Sequence, residues 1–181
     1  MGQRRSAREH ALQALFELEF NDVTPEAVLA RQAAEDAPPA AERDYTAWLV
    51  RGVAARRDEI DKLIQGTSAH WRVVRMTPVD RNILRIAAFE MLDGAFLAPA
   101  IVINEAIEIA KRFSGEEGAV FVNGVLDAVR KAIARGPAAP KETDHEPTPK
   151  PRKSPESAQR APAGAAATDR PAAPRGRRPK E

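Results

Sequence analysis

The sequence predicts an all-α domain of about 135 residues followed by a tail with no core, and three observations carry that prediction. Apolar residues recur at helical spacing in segment after segment up to Ile133, no segment shows a convincing strand alternation, and the composition changes abruptly after Gly136. Up to Gly136 there are 18 Lys+Arg against 20 Asp+Glu; beyond it there are 10 against 6. The modest overall charge of +2 therefore hides a nearly neutral globular part and a basic tail. Ten of the fifteen prolines lie in residues 137–181, a stretch with no large aliphatic or aromatic side chain. Such a segment cannot bury enough area to offset the entropy of ordering it, so it reads as disordered. The expected domains are thus 1–136, helical, and 137–181, a Pro/Ala-rich basic tail.

The first helix is expected over residues 6–20, SAREHALQALFELEF, where Leu12, Leu15, Phe16 and Leu18 or Glu19 recur at helical spacing. Ser6 is its expected cap, with Glu9 completing a capping box. Thr24 followed by Pro25 and Glu26 starts a second helix, which carries Val28 and Leu29 and closes at Pro38 and Pro39. From Glu42 to Gln65 the spacing stays helical through Tyr45, Trp48, Leu49, Val53, Ile60 and Ile64, and Gly52 within it marks a close helix crossing. Residues 67–75 read as a short helix or a turn around Trp71. The sharpest boundary is Thr77-Pro78 with Asp80 at the third position, ahead of Ile83, Leu84, Ala87, Ala88, Met91 and Leu92. Pro99 opens another helix, with Ile103, Ala106, Ile107, Ala110 and Phe113 as its stripe. After Ser114 and Gly115 comes the last helix, carrying Phe121, Val122, Val125, Leu126, Val129 and Ile133.

Composition excludes several classes of function. Without cysteine there is no disulfide framework, thiol nucleophile or cysteine zinc site. No run approaches the length of a membrane span, and the charged start, Met1 to His10, lacks the apolar stretch of a secretion signal, so the expected location is the cytoplasm. His10, His70 and His145 have no motif partners, and no phosphate loop, HExxH or GxSxG is present. Paired acids such as Glu105 with Glu108, or Asp58 with Glu59, read as solvated helix faces. No enzyme, metal site or cofactor is expected.

A binding role has better support. Arg4, Arg5 and Arg8 cluster at the start of the first helix, and Phe16 lies two turns beyond Arg8 on roughly the same side. Arginines beside an aromatic suit an RNA strand, whose phosphates they pair and whose bases the ring stacks; the plainer alternative is an ordinary charged N-terminus followed by a core phenylalanine. Asn104 and Asn123 sit among apolar stripes, where an amide either bonds a neighbouring backbone, the usual case, or faces a partner. Gly124 in a helix is expected to have another backbone packed closely against it.

Three blocks extend this reading: RSAREHALQALFELEF, then MTPVDRNILRIAAFEML, then VINEAIEIAKRFSGEEGAVFVNGVLDAVRK. In that order and spacing they closely resemble the bacterial transcription antitermination factors of the NusB family, over about residues 4–135. INEAIEIAKRF followed by FVNGVLD is the most specific part. The resemblance implies about seven helices in two small bundles, the first three helices forming one. It implies binding of the boxA sequence of nascent ribosomal RNA together with NusE, a small-subunit ribosomal protein. It also implies assembly with other Nus factors on RNA polymerase.

By the same resemblance the RNA-binding residues are Arg4, Arg5, Arg8, Phe16, Asp80 and Phe121, and Glu117 contacts NusE. Phe16 stands where relatives usually carry tyrosine, and Val120 where many carry lysine, which removes a hydroxyl and a phosphate contact. Asp80, Phe121 and Glu117 each have a plainer alternative: a helix-start role for Asp80, compatible with RNA contact, a core anchor for Phe121, and favourable charge in a first helical turn for Glu117. The basic tail, ending in Arg175, Arg177, Arg178 and Lys180, is a candidate to compensate.

The same fold precedes the catalytic domain of certain ribosomal RNA cytosine methyltransferases. That reading requires a further α/β domain and catalytic cysteines, which this sequence does not supply. The remaining alternative is a homodimeric or scaffold helical protein with non-specific RNA binding.

Overall fold

A computed structural model describes residues 2–68, 71–94 and 97–136. The tail with its terminal basic cluster, His70 and His145 lie outside the described residues. The described residues form seven α-helices in order: α1 (Gln3–Phe20), α2 (Pro25–Asp36), α3 (Ala40–Ala55), α4 (Arg57–Thr67), α5 (Pro78–Asp93), α6 (Pro99–Phe113) and α7 (Gly115–Arg135). One 3-10 turn, Val73–Arg75, precedes α5, and no strand occurs among the described residues.

The strongest local signals act as expected. Thr24 Oγ1 accepts from the Ala27 amide at 3.3 Å ahead of Pro25, and Thr77 Oγ1 accepts from the Asp80 amide at 3.1 Å ahead of Pro78. Gly94 ends α5 in the left-handed conformation, φ 63°.

The N-terminal helices α1, α2 and α3 pack on one another, and α4, α6 and α7 form the second group around α5. Helix α5 touches α1, α3, α4, α6 and α7, and every residue from Asn82 to Met91 is buried. A helix enclosed on all sides carries its polar residues inward as well. Asn82, Arg85 and Glu90 therefore sit in the core, and the two charges among them need partners from neighbouring helices.

Three expectations are corrected. Helix α1 starts at Gln3, with Gly2 in the capping position, so Ser6 is not a cap: it lies within the helix and its hydroxyl donates to Glu42. The segment 42–65 is two helices, broken at Arg56 (φ −112°, ψ 21°) without glycine or proline, because α3 packs on α1 whereas α4 turns to reach α5 and α7. Gly124 faces open space, where a Cβ would meet nothing within 4 Å. Gly52 does mark a close crossing: a Cβ there would lie 2.0 Å from Phe89 Cζ.

Candidate nucleic-acid interface

Helix α1 crosses α5 in the antiparallel sense, and an ion-pair cluster fixes each end of the crossing. At the first end Arg8 is buried, 2% exposed, and its Nε and Nη2 donate to the two carboxylate oxygens of Glu90 at 2.8 and 2.7 Å. The Tyr45 hydroxyl donates to the same carboxylate, and Arg8 Nη1 reaches the Arg4 carbonyl at 3.3 Å. Burial opposes the Arg8 charge, but the hydrogen bonds and charge of Glu90 outweigh it and hold the guanidinium above its ordinary pKa. Burial, then the bond to Glu90, pushes the Tyr45 phenol well above its usual range.

Arg5 continues the cluster outward. It pairs with both oxygens of Glu105 at 2.9 and 2.8 Å and keeps 33% of its side chain exposed. This bond holds Glu105 below the usual carboxylate range. Arg4 is exposed, with its guanidinium 5.7 Å from the centre of the Tyr45 ring. The three arginines thus form a gradient from core to solvent rather than one surface patch.

At the other end Glu19, its side chain 6% exposed, accepts from Arg81 and Arg85 of α5, with Arg57 of α4 at 3.8 Å. Arg85 spends its remaining donors on Asp61 at 2.7 and 2.7 Å and on Asn82 at 3.1 Å. Arg81 Nη1 also donates to the carbonyls of Val73 and Met76, at 3.3 and 3.1 Å, tying the 3-10 turn to α5. Burial raises the Glu19 pKa, but the bonds to Arg81 and Arg85 overcome it and leave the carboxylate lowered.

Phe16 is 41% exposed on the last turns of α1. Phe20, one turn on and 62% exposed, lies with its ring centre 4.9 Å from that of Phe16. A third group forms where α5 meets α7. Asp80 is buried: Oδ2 accepts from Thr77 Oγ1 at 2.8 Å, while Oδ1 has no hydrogen-bond partner among the described residues. Oδ1 would lie 3.2 Å from a Cβ on Gly118, so this glycine allows the acid to approach the first turns of α7. Glu117 is exposed beside it, and Phe121, one turn on, is half-buried with its ring edge-on to Trp71 at 5.8 Å. Trp71 and Val120 remain exposed, at 59% and 73%.

The expected site residues therefore fall in three places: the arginine end of α1, the Phe16 turn of α1, and the α5–α7 junction of Asp80, Glu117 and Phe121. Sequence reasoning passed over Phe20, although its four-residue spacing from Phe16 was visible. It placed Glu19 only as a position in the stripe of α1 and missed its partners Arg81 and Arg85, because no sequence pattern says which charges a central helix will bury. Glu105 and Glu59 are paired rather than merely solvated, with Arg5 and Arg56 respectively. Asn104 and Asn123 are exposed and make no side-chain hydrogen bond among the described residues, so of the two expected alternatives the bond to a neighbouring backbone is not found.

Residues 5–131 match the model of the NusB family. The transcription antitermination protein NusB of Desulforapulum autotrophicum is 45% identical over 140 residues, covering 75% of this chain and 98% of the relative. That of Myxococcus xanthus is 44% identical over 139 residues, covering 74% and 98%. Among solved structures, NusB of T. maritima superposes with a TM-score of 0.65 at 34% identity, covering 71% of this chain and 90% of that one. A chain from a crystal structure of the antitermination factors NusB and NusE in complex with dsRNA gives a TM-score of 0.66 at 26% identity, covering 73% and 98%. Sequence and structure agree over nearly all of the described helices, and this chain belongs to the NusB family.

Proposed function

We propose that this protein is a cytoplasmic transcription antitermination factor that binds the boxA segment of nascent ribosomal RNA together with NusE. The complex then assembles with other Nus factors on RNA polymerase. The observation that carries this reading is the likeness over 98% of a chain solved together with NusE and RNA. No helix among the described residues is long and apolar enough to cross a membrane. The protein acts by binding and positioning RNA, without bond chemistry.

In this reading the exposed guanidinium of Arg4 and the half-buried one of Arg5 meet phosphates, and Phe16 stacks a base. Arg8 acts beneath them: its donors are committed to Glu90 and Arg4, so it fixes the helix that presents the other two. Phe121 serves the RNA at the α5–α7 junction with its half-buried ring, and Asp80, buried at the same junction, acts from beneath by holding the start of α5 against the first turns of α7. Glu117 faces NusE from the first turn of α7. The basic segment 137–181 adds a phosphate attraction that is indifferent to sequence.

The test is a titration of boxA RNA and a scrambled RNA of equal length, with and without NusE, at several salt concentrations. The pair is expected to prefer boxA and to bind it more tightly than either protein alone. A chain ending at Gly136 is expected to lower the salt slope while keeping that preference. Equal binding to both RNAs, unaffected by NusE, would replace this reading with the non-specific scaffold alternative.

A further inference from the structure

Helix α1 ends on two exposed phenylalanines that the core does not use. At about 100° per residue, Phe16 and Phe20 are roughly 40° apart around the helix and one turn apart along it, so they form a single stripe. Their ring centres are 4.9 Å apart with planes tilted by 44°. Glu17 and Glu19 lie on opposite sides of this stripe, and both acids are neutralised by arginines from other helices. Glu17 pairs with Arg31 of α2, and Glu19 with Arg81 and Arg85 of α5, with Arg57 of α4 alongside. Arg31 and Arg57 keep 48% and 50% of their side chains exposed.

The result is an aromatic stripe with a half-exposed arginine beyond each flank, one of them, Arg31, also 3.8 Å from Glu35, and with both acids beside it on α1 paired. Stacking faces bordered by cations are the arrangement that holds single-stranded nucleic acid: the rings take bases and the arginines take the backbone on either side. A protein partner would be met by an apolar knob among charges. A strand of unpaired nucleotides matches both the rings and the charges.

We propose that Phe20 is a second base-stacking residue, so that Phe16 and Phe20 hold successive unpaired bases of a single RNA strand while Arg31 and Arg57 border its backbone. This rests on the RNA-binding reading above and extends it. The strand path then runs the length of α1, from Arg4 and Arg5 to the Phe20 turn, a span of about 22 Å at 1.5 Å per residue.

The experiment titrates boxA RNA against the chain with NusE, using wild type, Phe20→Ala, Phe20→Leu and Phe20→Trp. Circular dichroism of each variant confirms the helical content, which an exposed side chain leaves unchanged. Loss of one stacked base is expected to weaken binding by about five- to a hundredfold. Phe20→Leu is expected to fall with Phe20→Ala, because it keeps apolar bulk without a π face, and Phe20→Trp to bind at least as tightly as wild type. A wild-type preference for boxA combined with unchanged affinity in Phe20→Ala would overturn the proposal and leave the RNA reading standing. Absence of any boxA preference in wild type would overturn the reading on which it rests. Unchanged RNA affinity with an altered mass in sedimentation would assign Phe20 to contact with a second copy of the chain, which also overturns it.

Discussion

Replacing Glu90 by alanine is expected to destabilise the fold by about 3–5 kcal/mol, the range for breaking one partner of a buried ion pair. The side chains of Arg8 and Glu90 are 2% and 3% exposed, so the orphaned guanidinium would have neither solvent nor an equal acceptor. Glu105, 3.6 Å from Arg8 Nη1, compensates only in part, because its carboxylate is already engaged by Arg5. Tyr45 would lose its acceptor in the same step. The double variant Arg8→Met, Glu90→Leu is expected to recover much of the loss, since it removes both charges rather than isolating one. Urea denaturation followed by helical circular dichroism measures both. A loss below about 1 kcal/mol in Glu90→Ala would mean that water reaches the site and that Arg8 does not anchor α1 to α5.

Replacing Glu19 by glutamine is expected to cost about 3 kcal/mol near neutral pH, at the lower end of that range because Arg85 keeps Asp61 and Arg81 keeps two backbone carbonyls. The same residue gives the fold an acid-sensitive term. The Glu19 carboxylate has a lowered pKa in the folded protein, so its contribution is complete above the unfolded value of about 4.3 and disappears as pH falls through the folded value below it. Glu105, lowered by Arg5, adds a term of the same sign. Stability of the wild type is therefore expected to decline as pH falls below the unfolded value of about 4.3, and Glu19→Gln to flatten the curve there. Parallel curves for the two proteins would contradict the assignment of this acid sensitivity to Glu19.

The helices were legible in the sequence wherever local chemistry decides them. Thr24-Pro25 and Thr77-Pro78 are caps whose hydrogen bonds close within three residues, and both form as expected. What depends on tertiary neighbours was harder to see. The stripe Ile83, Leu84, Ala87, Ala88, Met91 and Leu92 described one buried face of α5. Enclosure by five other helices buries the opposite face too, and brings Arg85 and Glu90 inside. Arg8 was grouped with Arg4 and Arg5 because they are close in sequence, yet its partner Glu90 is 82 residues away. The break at Arg56 has the same origin, since only the change of packing partners between α3 and α4 requires it. Glycines divide in the same way: Gly52 and Gly118 are demanded by Phe89 and by Ser114 with Asp80, whereas Gly124 meets nothing. At the interface, residue types and spacing pointed to the arginine end and to Phe16. The stripe at Phe20 became visible only once Glu17 and Glu19 were seen to be neutralised from other helices.

The most direct test is transcription in vitro on a template carrying boxA upstream of a terminator, with RNA polymerase, NusE and the other Nus factors, in the presence and absence of this chain. The account predicts that adding the chain raises read-through and that scrambling boxA abolishes the rise. Read-through that is the same with and without the chain, or that rises equally on the scrambled template, would contradict it.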